Sequence, residues 1–381
     1  MTVRKKLAAL LCLVLVLPGG CRSSGEYYVE KEHAGQLDGQ AGLSSNAIGN
    51  YYTLQTSLQN MIRSGRMSDK IRMSGYQGDL DEDLEEIREY FTTVYPLGVY
   101  AVQGIGYDKS RVLSETEISV TVQYRRTAEE IRSVVEIAGT AEFERYMTEC
   151  FRGFEEHKVF SFNWFTDSDE QFMQRIMKSW MAAAEYAVGL RDISFTFYPE
   201  QGYRRIVEVE IKYLDDAQQL LRQVQEVRAA VLEAQQQMPQ VTGERERLEE
   251  VGAWLAASVV LDEEATRVVR ETEGLQKKTS VYTAYGAMVE GTAAQTGIVL
   301  AAEALCRQLG FQCQAVIGQM DGSVYWWLAV QTDEGWMHLD VLSQEMQMAA
   351  GQEQNVVPKR VFTHQEAESR FSWDEEVYDF S

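Results

Sequence analysis

The sequence predicts an α+β protein, and two patterns carry this prediction. In the middle of the chain, amphipathic helices alternate with pairs of strands in which every second residue is apolar. Towards the C-terminus, a helical run from residue 295 to residue 309 is followed by three short apolar strands. Helices repeat about every 3.6 residues and strands every two, so the two patterns can be told apart. A chain of 381 residues exceeds one typical core, so we expect two or three domains.

The chain begins with a targeting segment. Arg4, Lys5 and Lys6 precede an apolar stretch over residues 7–17, which is shorter than the roughly 20 residues that span a bilayer. The stretch ends in the letters LPGGC, which resemble a bacterial lipobox, although Pro18 departs from that pattern. The resemblance implies a lipoprotein signal peptide over residues 1–20 and a lipid on Cys21, which would anchor the chain to a bacterial cell membrane, facing outside the cytoplasm. Ordinary secretory cleavage is the alternative.

Charge and composition exclude several partners and cofactors. The net charge is −22, and it becomes −25 when the three positive charges of residues 1–20 are removed. Such an acidic surface repels polyphosphate, so we expect no nucleic-acid partner. The chain has no Cys-x-x-Cys pair and only four scattered histidines, which predicts no metal site and no cofactor. Cys150, Cys306 and Cys313 remain beside Cys21; Cys306 and Cys313 either form a disulfide or are two small buried side chains.

The next segments predict a tether and then an α+β region over residues 46–238. Residues 21–45 are rich in Ser, Gly, Glu and Gln, which is typical of a flexible tether. Residues 45–64 predict a first helix with Ser44 or Ser45 as its N-cap.

A helix–strand–strand–helix unit follows. Apolar residues at helical spacing form its first helix: Leu80, Leu84, Ile87 and Phe91. Residues 99–102 predict a strand, residues 108–110 a hairpin turn, and residues 118–124 a second, alternating strand. Thr127 with Glu130 three residues later predicts a capping box at the start of the second helix.

The same order recurs downstream. It comprises a helix over residues 172–183, a strand at 193–197, an alternating strand at 207–213 and a long helix that Asp215 opens.

Placing Tyr124 on Tyr213 aligns the two strand patterns and brings Ala128 onto Ala217. We therefore predict a duplicated unit at about residues 78–138 and 167–236, with chance alternation as the alternative.

Pro239 and the residues up to 245 break the long helix, and a C-terminal domain at residues 244–381 follows. Its informative segments are a helix over 246–262, AYGAMVEG from Ala284, TAAQTG from Thr292, YWWLAV from Tyr325 and WMHLD ending at Asp340.

These segments resemble the transglutaminase-like superfamily, which has a papain-like cysteine-enzyme core, over about residues 246–381. In that family a nucleophilic Cys begins a buried helix, a His-Ala-Trp-Asn-type strand carries the base, and a Trp-Tyr-x-x-Asp-type strand carries the acid that orients the base. The corresponding positions here are Gln295, Tyr325 and Asp340, and Leu328 replaces the Asn. The resemblance implies a transglutaminase-like fold without its nucleophile and base.

The substituted residues cannot perform the family's chemistry. Gln295 has no titratable group, and a tyrosine titrates near pH 10 rather than near neutrality. Asp340 either hydrogen-bonds Tyr325 or is a solvated carboxylate at a strand end. Cys306 lies eleven residues after Gln295, about 16 Å along the helix, and the spacing of His338 does not bring it to the base position.

The aromatic residues Tyr325, Trp326 and Trp336 are candidate binding residues. They either form a stacking platform for a sugar ring or an extended peptide, or pack in the core. Trp327 matches a tryptophan that the family buries.

The sequence thus predicts a cell-envelope lipoprotein, not an enzyme, whose inactive transglutaminase-like domain binds or scaffolds a peptide, glycan or protein partner. One alternative is an active envelope cysteine peptidase or transglutaminase that uses Cys306 or Cys313. The other is a purely structural subunit of a membrane complex.

Overall fold

A computed structural model describes residues 5–6, 49–112, 115–271, 280–342 and 360–380. Cys21, the tether and nearly all of the predicted signal peptide lie outside these residues. In the described part of the chain, no helix is both long enough and apolar enough to cross a bilayer.

Helices and strands are mixed along the chain, which confirms the α+β class. The α-helices are α1 (Tyr51–Ser64), α2 (Leu80–Glu89), α3 (Pro96–Ala101), α4 (Ala128–Arg132), α5 (Thr140–Arg152), α6 (Asp169–Met181), α7 (Ala217–Gln237), α8 (Glu244–Ser258), α9 (Glu263–Glu271), α10 (Ala284–Met288), α11 (Gln295–Gln308) and α12 (His364–Glu368). The strands are β1 (Lys5–Lys6), β2 (Ser68–Met73), β3 (Val102–Val112), β4 (Glu115–Tyr124), β5 (Val135–Ile137), β6 (His157–Phe162), β7 (Leu190–Tyr198), β8 (Arg205–Tyr213), β9 (Val260–Leu261), β10 (Thr292–Ala293), β11 (Gln312–Met320), β12 (Ser323–Thr332), β13 (Gly335–Leu339), β14 (Val361–Thr363) and β15 (Phe371–Ser372).

Three larger sheets organise these elements. The first has the order β2-β4-β3, the second β1-β7-β8-β6-β5, and the third β14-β13-β12-β11-β15. The third sheet is antiparallel throughout, and α11 packs on one of its faces. A short parallel pair, β9 with β10, leads into α11.

The first two sheets belong to units with the same element order. The first unit (residues 51–132) runs α1-β2-α2-β3-β4-α4, with α3 between α2 and β3, and the second unit (residues 140–237) runs α5-β6-α6-β7-β8-α7. In the first unit Ser68 of β2 pairs with Thr121 of β4, and in the second unit His157 of β6 pairs with Glu210 of β8. Each residue of the second pair lies 89 positions after its counterpart in the first pair. The two units therefore share strand order and strand register.

Local irregularities recur in both units. The pairing of β3 with β4 shifts register just after Val102, which faces Tyr124, and that of β7 with β8 shifts just after Leu190, which faces Tyr213. Each unit also has a left-handed residue just after its first helix. It is Gly65 (φ 67°) after α1 and Phe154 (φ 51°) after α5, again 89 positions apart. A left-handed phenylalanine is uncommon, and its equivalent in the other unit is a glycine.

Several boundaries differ from those predicted. The first helix begins at Tyr51 with Asn50 as its cap, not Ser44 or Ser45. The segment from Val99 to Ala101 is helical, because Pro96 at the first position starts a helix and so short an apolar run does not distinguish helix from strand. Residues 108–110 continue β3 rather than turning.

Other local predictions are confirmed. Thr127 and Glu130 form the capping box of α4, with each side chain bonded to the other residue's backbone N–H. The long helix after β8 is present as α7, although Asp216 rather than Asp215 caps it.

The first unit has its own main core and also forms a smaller apolar cluster with the second unit, whereas the main core of the second unit is shared with the C-terminal region (residues 244–380). A single apolar cluster runs from Phe143 and Phe172 of the second unit to Leu300 and Trp326 of the C-terminal region. The cluster of the first unit contains only residues of that unit. Residues 239–243 thus separate neighbouring helices in the chain but do not separate two cores.

Candidate functional site

The start of α11 carries the first of the three predicted site positions. Gln295 is the first residue of α11 and is fully buried. Its backbone N–H donates to Thr266 Oγ1 at 3.1 Å, and its side-chain Nε2 donates to the Trp326 carbonyl oxygen at 2.8 Å. At Gly297, a Cβ would lie 2.5 Å from the Val281 carbonyl oxygen, so only glycine lets the helix approach this loop. The amide of Gln295 is therefore fixed against the sheet.

Tyr325 and Asp340 form the second part of the site. The Tyr325 hydroxyl donates to Asp340 Oδ1 at 2.8 Å, inside the protein. The Leu342 N–H also donates to Oδ1, and Arg370 Nη2 donates to Oδ2 at 3.2 Å. Burial raises the pKa of Asp340, and these donors oppose the rise. Of the two alternatives for Asp340, the bond to Tyr325 is confirmed and the solvated carboxylate is wrong.

The structure brings the three predicted positions to β12 in two separate contacts. Gln295 bonds the β12 backbone at Trp326, the residue next to Tyr325, and Tyr325 bonds Asp340 on the face of the sheet opposite the α11 core. Arg370, which bonds Asp340, and Thr266, which bonds Gln295, are absent from the sequence-based site. No local pattern points to them, since Arg370 is 30 residues from Asp340 and Thr266 is 29 residues from Gln295.

The two thiols of the alternative enzyme hypothesis are both buried. Cys306 and Cys313 are free and buried, so the disulfide alternative is wrong and both act as small packed side chains. Burial raises the pKa of both thiols well above the ordinary value. A thiol nucleophile needs the opposite, a lowered pKa in a partly exposed, electropositive setting.

His338 is likewise buried, and other side chains occupy both of its ring nitrogens. The Trp327 indole N–H donates to His338 Nδ1 at 2.9 Å, so Nδ1 carries no proton in this arrangement. The remaining N–H, at Nε2, faces His364 Nδ1 at 3.1 Å. Burial, with a contribution from His364, lowers the pKa of His338 to about 3. Both ring nitrogens are thus engaged, and the ring stays neutral near pH 7.

The two faces of β12 account for the aromatic residues. Trp326, with Leu328 and Val330, packs in the core that contains α11, whereas Tyr325 and Trp327 pack on the opposite face. Tyr325 is only 1% exposed and Trp326 only 2%. The predicted stacking platform is therefore wrong at both residues, because the sheet is covered on both faces. Trp336 is half-buried, and its ring lies edge-on to Phe380 at a centroid distance of 5.0 Å.

The described residues bring no three His, Cys, Asp or Glu side chains close enough together to hold a metal ion.

Comparisons with known proteins give a limited result. No protein-family profile matches the sequence, and no curated protein matches it. A solved structure described as the crystal structure of a TGase is similar over 84% of this chain and 91% of its own, at 13% sequence identity and a TM-score of 0.29. The chain is thus similar to a transglutaminase structure at a low level.

Proposed function

We propose that this chain is a cell-envelope lipoprotein whose C-terminal region keeps a transglutaminase-like arrangement without its chemistry and acts by binding or scaffolding. The observation that supports this most is that the polar groups at the predicted site positions are bonded inside the protein. Gln295 is bonded to the backbone of β12, and Tyr325 is bonded to Asp340, which Arg370 also contacts. Every one of these groups already has a hydrogen-bond partner inside the protein.

The available groups also argue against acyl transfer. The reaction requires a thiolate beside an imidazole that can accept its proton. Among the described residues, Cys150, Cys306 and Cys313 are all buried thiols with a raised pKa. The binding or scaffolding role consequently fits these residues better than catalysis through Cys306 or Cys313.

The test is an activity assay on the mature full-length chain with Cys21→Ser. We expect neither transamidation of a glutamine peptide nor hydrolysis of peptides, before or after treatment with iodoacetamide. An active transglutaminase assayed in parallel verifies the method. Turnover that iodoacetamide abolishes, and that disappears in Cys306→Ala or Cys313→Ala, would establish the relocated-thiol enzyme instead.

We also propose that the lipid on Cys21 holds the chain at the membrane, supported by the short apolar segment before the LPGGC letters. Wild type and Cys21→Ala would be expressed in a bacterium and separated into membrane and soluble fractions. We expect the wild type in the membrane fraction and the variant outside it. Equal membrane retention of both would refute lipidation at this residue.

Finally, we propose that the first and second units arose by duplication of one ancestral unit. The support is the constant displacement of 89 positions in paired strand residues, from Ser68–Thr121 to His157–Glu210. Buried core positions follow the same displacement, as in Leu58 and Met147 or Ile87 and Ile176. An experimental structure in which the two units differ in strand order or register would refute the duplication.

A further inference from the structure

The first and second units enclose a cleft of about 250 Å³. We propose that this cleft binds a small organic anion, with a carboxylate or phosphate group held by Arg63, Arg132 and Arg204. This inference goes beyond the proposed function and does not depend on whether the C-terminal region is inactive.

Residues of both units line the cleft. Arg63, Tyr95 and Arg132 come from the first unit, and Asn163 and Arg204 come from the second. Ligand sites occur preferentially at such boundaries between structural units. Apolar side chains form the rest of the wall: Pro96, Leu97, Ile131, Val134, Phe162 and Ile206.

Two of the three guanidinium groups each donate one hydrogen bond from Nε, which leaves their terminal Nη1 and Nη2 atoms available for a ligand. Arg63 Nε donates to the Tyr95 hydroxyl at 3.2 Å, and Arg132 Nε donates to the Ala128 carbonyl oxygen at 2.9 Å. The two terminal nitrogens of each group are the fork that binds carboxylate or phosphate in a bidentate manner. Fixing the fork beforehand reduces the entropy lost on binding.

The charge balance of the cleft is unusual for this chain. Across the described residues, none of the guanidinium groups of Arg63, Arg132 and Arg204 has a carboxylate within 4.0 Å. The cleft contains one acidic residue, Glu136, so its formal charge is +2 in a protein of net charge −22. Glu136 acts on Arg63 electrostatically without forming an ion pair, so an anion entering the cleft would meet an excess of positive charge.

The size of the cleft limits the ligand. Its volume of about 250 Å³ is below the roughly 300–1,000 Å³ of sites for drug-sized molecules. The mixture of arginines and apolar wall suits a short molecule with an acidic group and an apolar body. Phosphate and glutarate are suitable probes, because phosphate supplies the anion alone and glutarate supplies two carboxylates on an apolar stem.

The experiment is isothermal titration calorimetry of the mature chain with Cys21→Ser, in low salt, using phosphate, glutarate and uncharged glutaramide. We expect binding of at least one anion, no binding of glutaramide, and weaker binding as salt screens the charges. R132Q/R204Q should weaken anion binding about ten-fold or more. E136Q should tighten it several-fold by removing the like charge.

The matched control is R111Q/R191Q, which removes the same charge from β3 and β7, at residues that are exposed like the cleft arginines but lie outside the cleft. It should bind the anions as the wild type does. R132K/R204K keeps the charge without the fork, and we expect an intermediate affinity, which tests the site even if R132Q/R204Q fails to fold. The proposal is overturned if neither anion binds the wild type. It is equally overturned if the control variant loses as much affinity as the cleft variant, or if both the lysine variant and E136Q bind unchanged.

Discussion

Tyr325 has a structural role inside the protein. Its hydroxyl is one of three donors to the buried Asp340, beside the Leu342 N–H and Arg370. Hydrogen bonds to a charged group stabilise a protein by roughly 1.5–3 kcal/mol.

Tyr325→Phe should therefore lower the free energy of unfolding by about 1.5–3 kcal/mol, measured by urea denaturation. Tyr203→Phe, at a ring that is 47% exposed, is the control and should change it by less than about 0.5 kcal/mol. An equal effect of the two substitutions would show that the Tyr325 bond contributes nothing.

His338 predicts a pH dependence of stability. Its pKa in the folded protein is lowered to about 3, whereas an unfolded histidine titrates near pH 6.5. Between these values the unfolded chain binds the extra proton, so the free energy of unfolding falls as pH falls, by roughly 1.4 kcal/mol per unit. His338→Gln, which keeps an acceptor for Trp327, should reduce this slope between about pH 6 and pH 4.

His157 should behave in the opposite way. Its hydrogen bond with Glu208 raises its pKa, so its contribution is present at pH below about 6.5 and is lost as pH rises through the raised pKa. His157→Gln should therefore destabilise the protein at low pH and have less effect at high pH. Parallel pH profiles of the two histidine variants would contradict both assignments.

Some of these residues could be identified from the sequence and others could not. The resemblance found in the sequence pointed to Gln295, Tyr325 and Asp340, and the structure joins Tyr325 to Asp340 and Gln295 to the backbone of the same strand. Their burial does not follow from the resemblance, because the coverage of β12 on both faces depends on packing between distant segments. Arg370 has no pattern that connects it to Asp340 in advance.

At the scale of elements, α6 joins the second unit to the C-terminal residues. Arg175 donates to Asp167 at 2.8 Å, to Glu144 at 3.0 Å and to the Glu376 carbonyl oxygen at 2.7 Å. Lys178 donates to the Val377 carbonyl oxygen at 2.7 Å. The C-terminal residues are thus held by side chains of one helix.

Arg175→Met should cost about 1–3 kcal/mol, because it leaves Asp167 without its cation and leaves Glu144 paired with Lys178 alone. It should also loosen the C-terminal residues, which limited proteolysis followed by mass spectrometry would detect. Arg191→Met, at an exposed residue of β7, is the control. Equal cleavage rates in the two variants would rule out the role of Arg175 in holding this segment.

Sequence patterns predicted those strands and helices whose burial follows the pattern. The alternation in β4 and β8 and the capping box of α4 were all visible in the sequence. The alternation in β8 sets Glu208 opposite the apolar face, yet it is buried, because Arg126, His157 and Tyr198 surround its carboxylate. Such partners come from distant segments, and no local pattern contains them.

At the scale of the whole molecule, the distribution of cores predicts which fragments fold. The first unit has its own apolar cluster, whereas the second unit and the C-terminal region share one. A fragment of residues 134–381 should therefore unfold cooperatively in urea. A fragment of residues 244–381 should lack a cooperative transition, because it loses the second unit's part of the shared cluster and keeps whole only the smaller cluster around Tyr325 and Trp327. Cooperative unfolding of the shorter fragment would mean that the shared cluster contributes little to stability.

The shared core also sets an order of events during synthesis. Arg175 and its carbonyl partner at Glu376 are 201 residues apart, and contacts so distant in sequence form late, after the intervening chain is available. The first unit can close as soon as its own residues are free, since its cluster lies within residues 51–122. The second unit can complete its core only when the C-terminal region is available, so the apolar surface it shares with that region has no partner until late in synthesis.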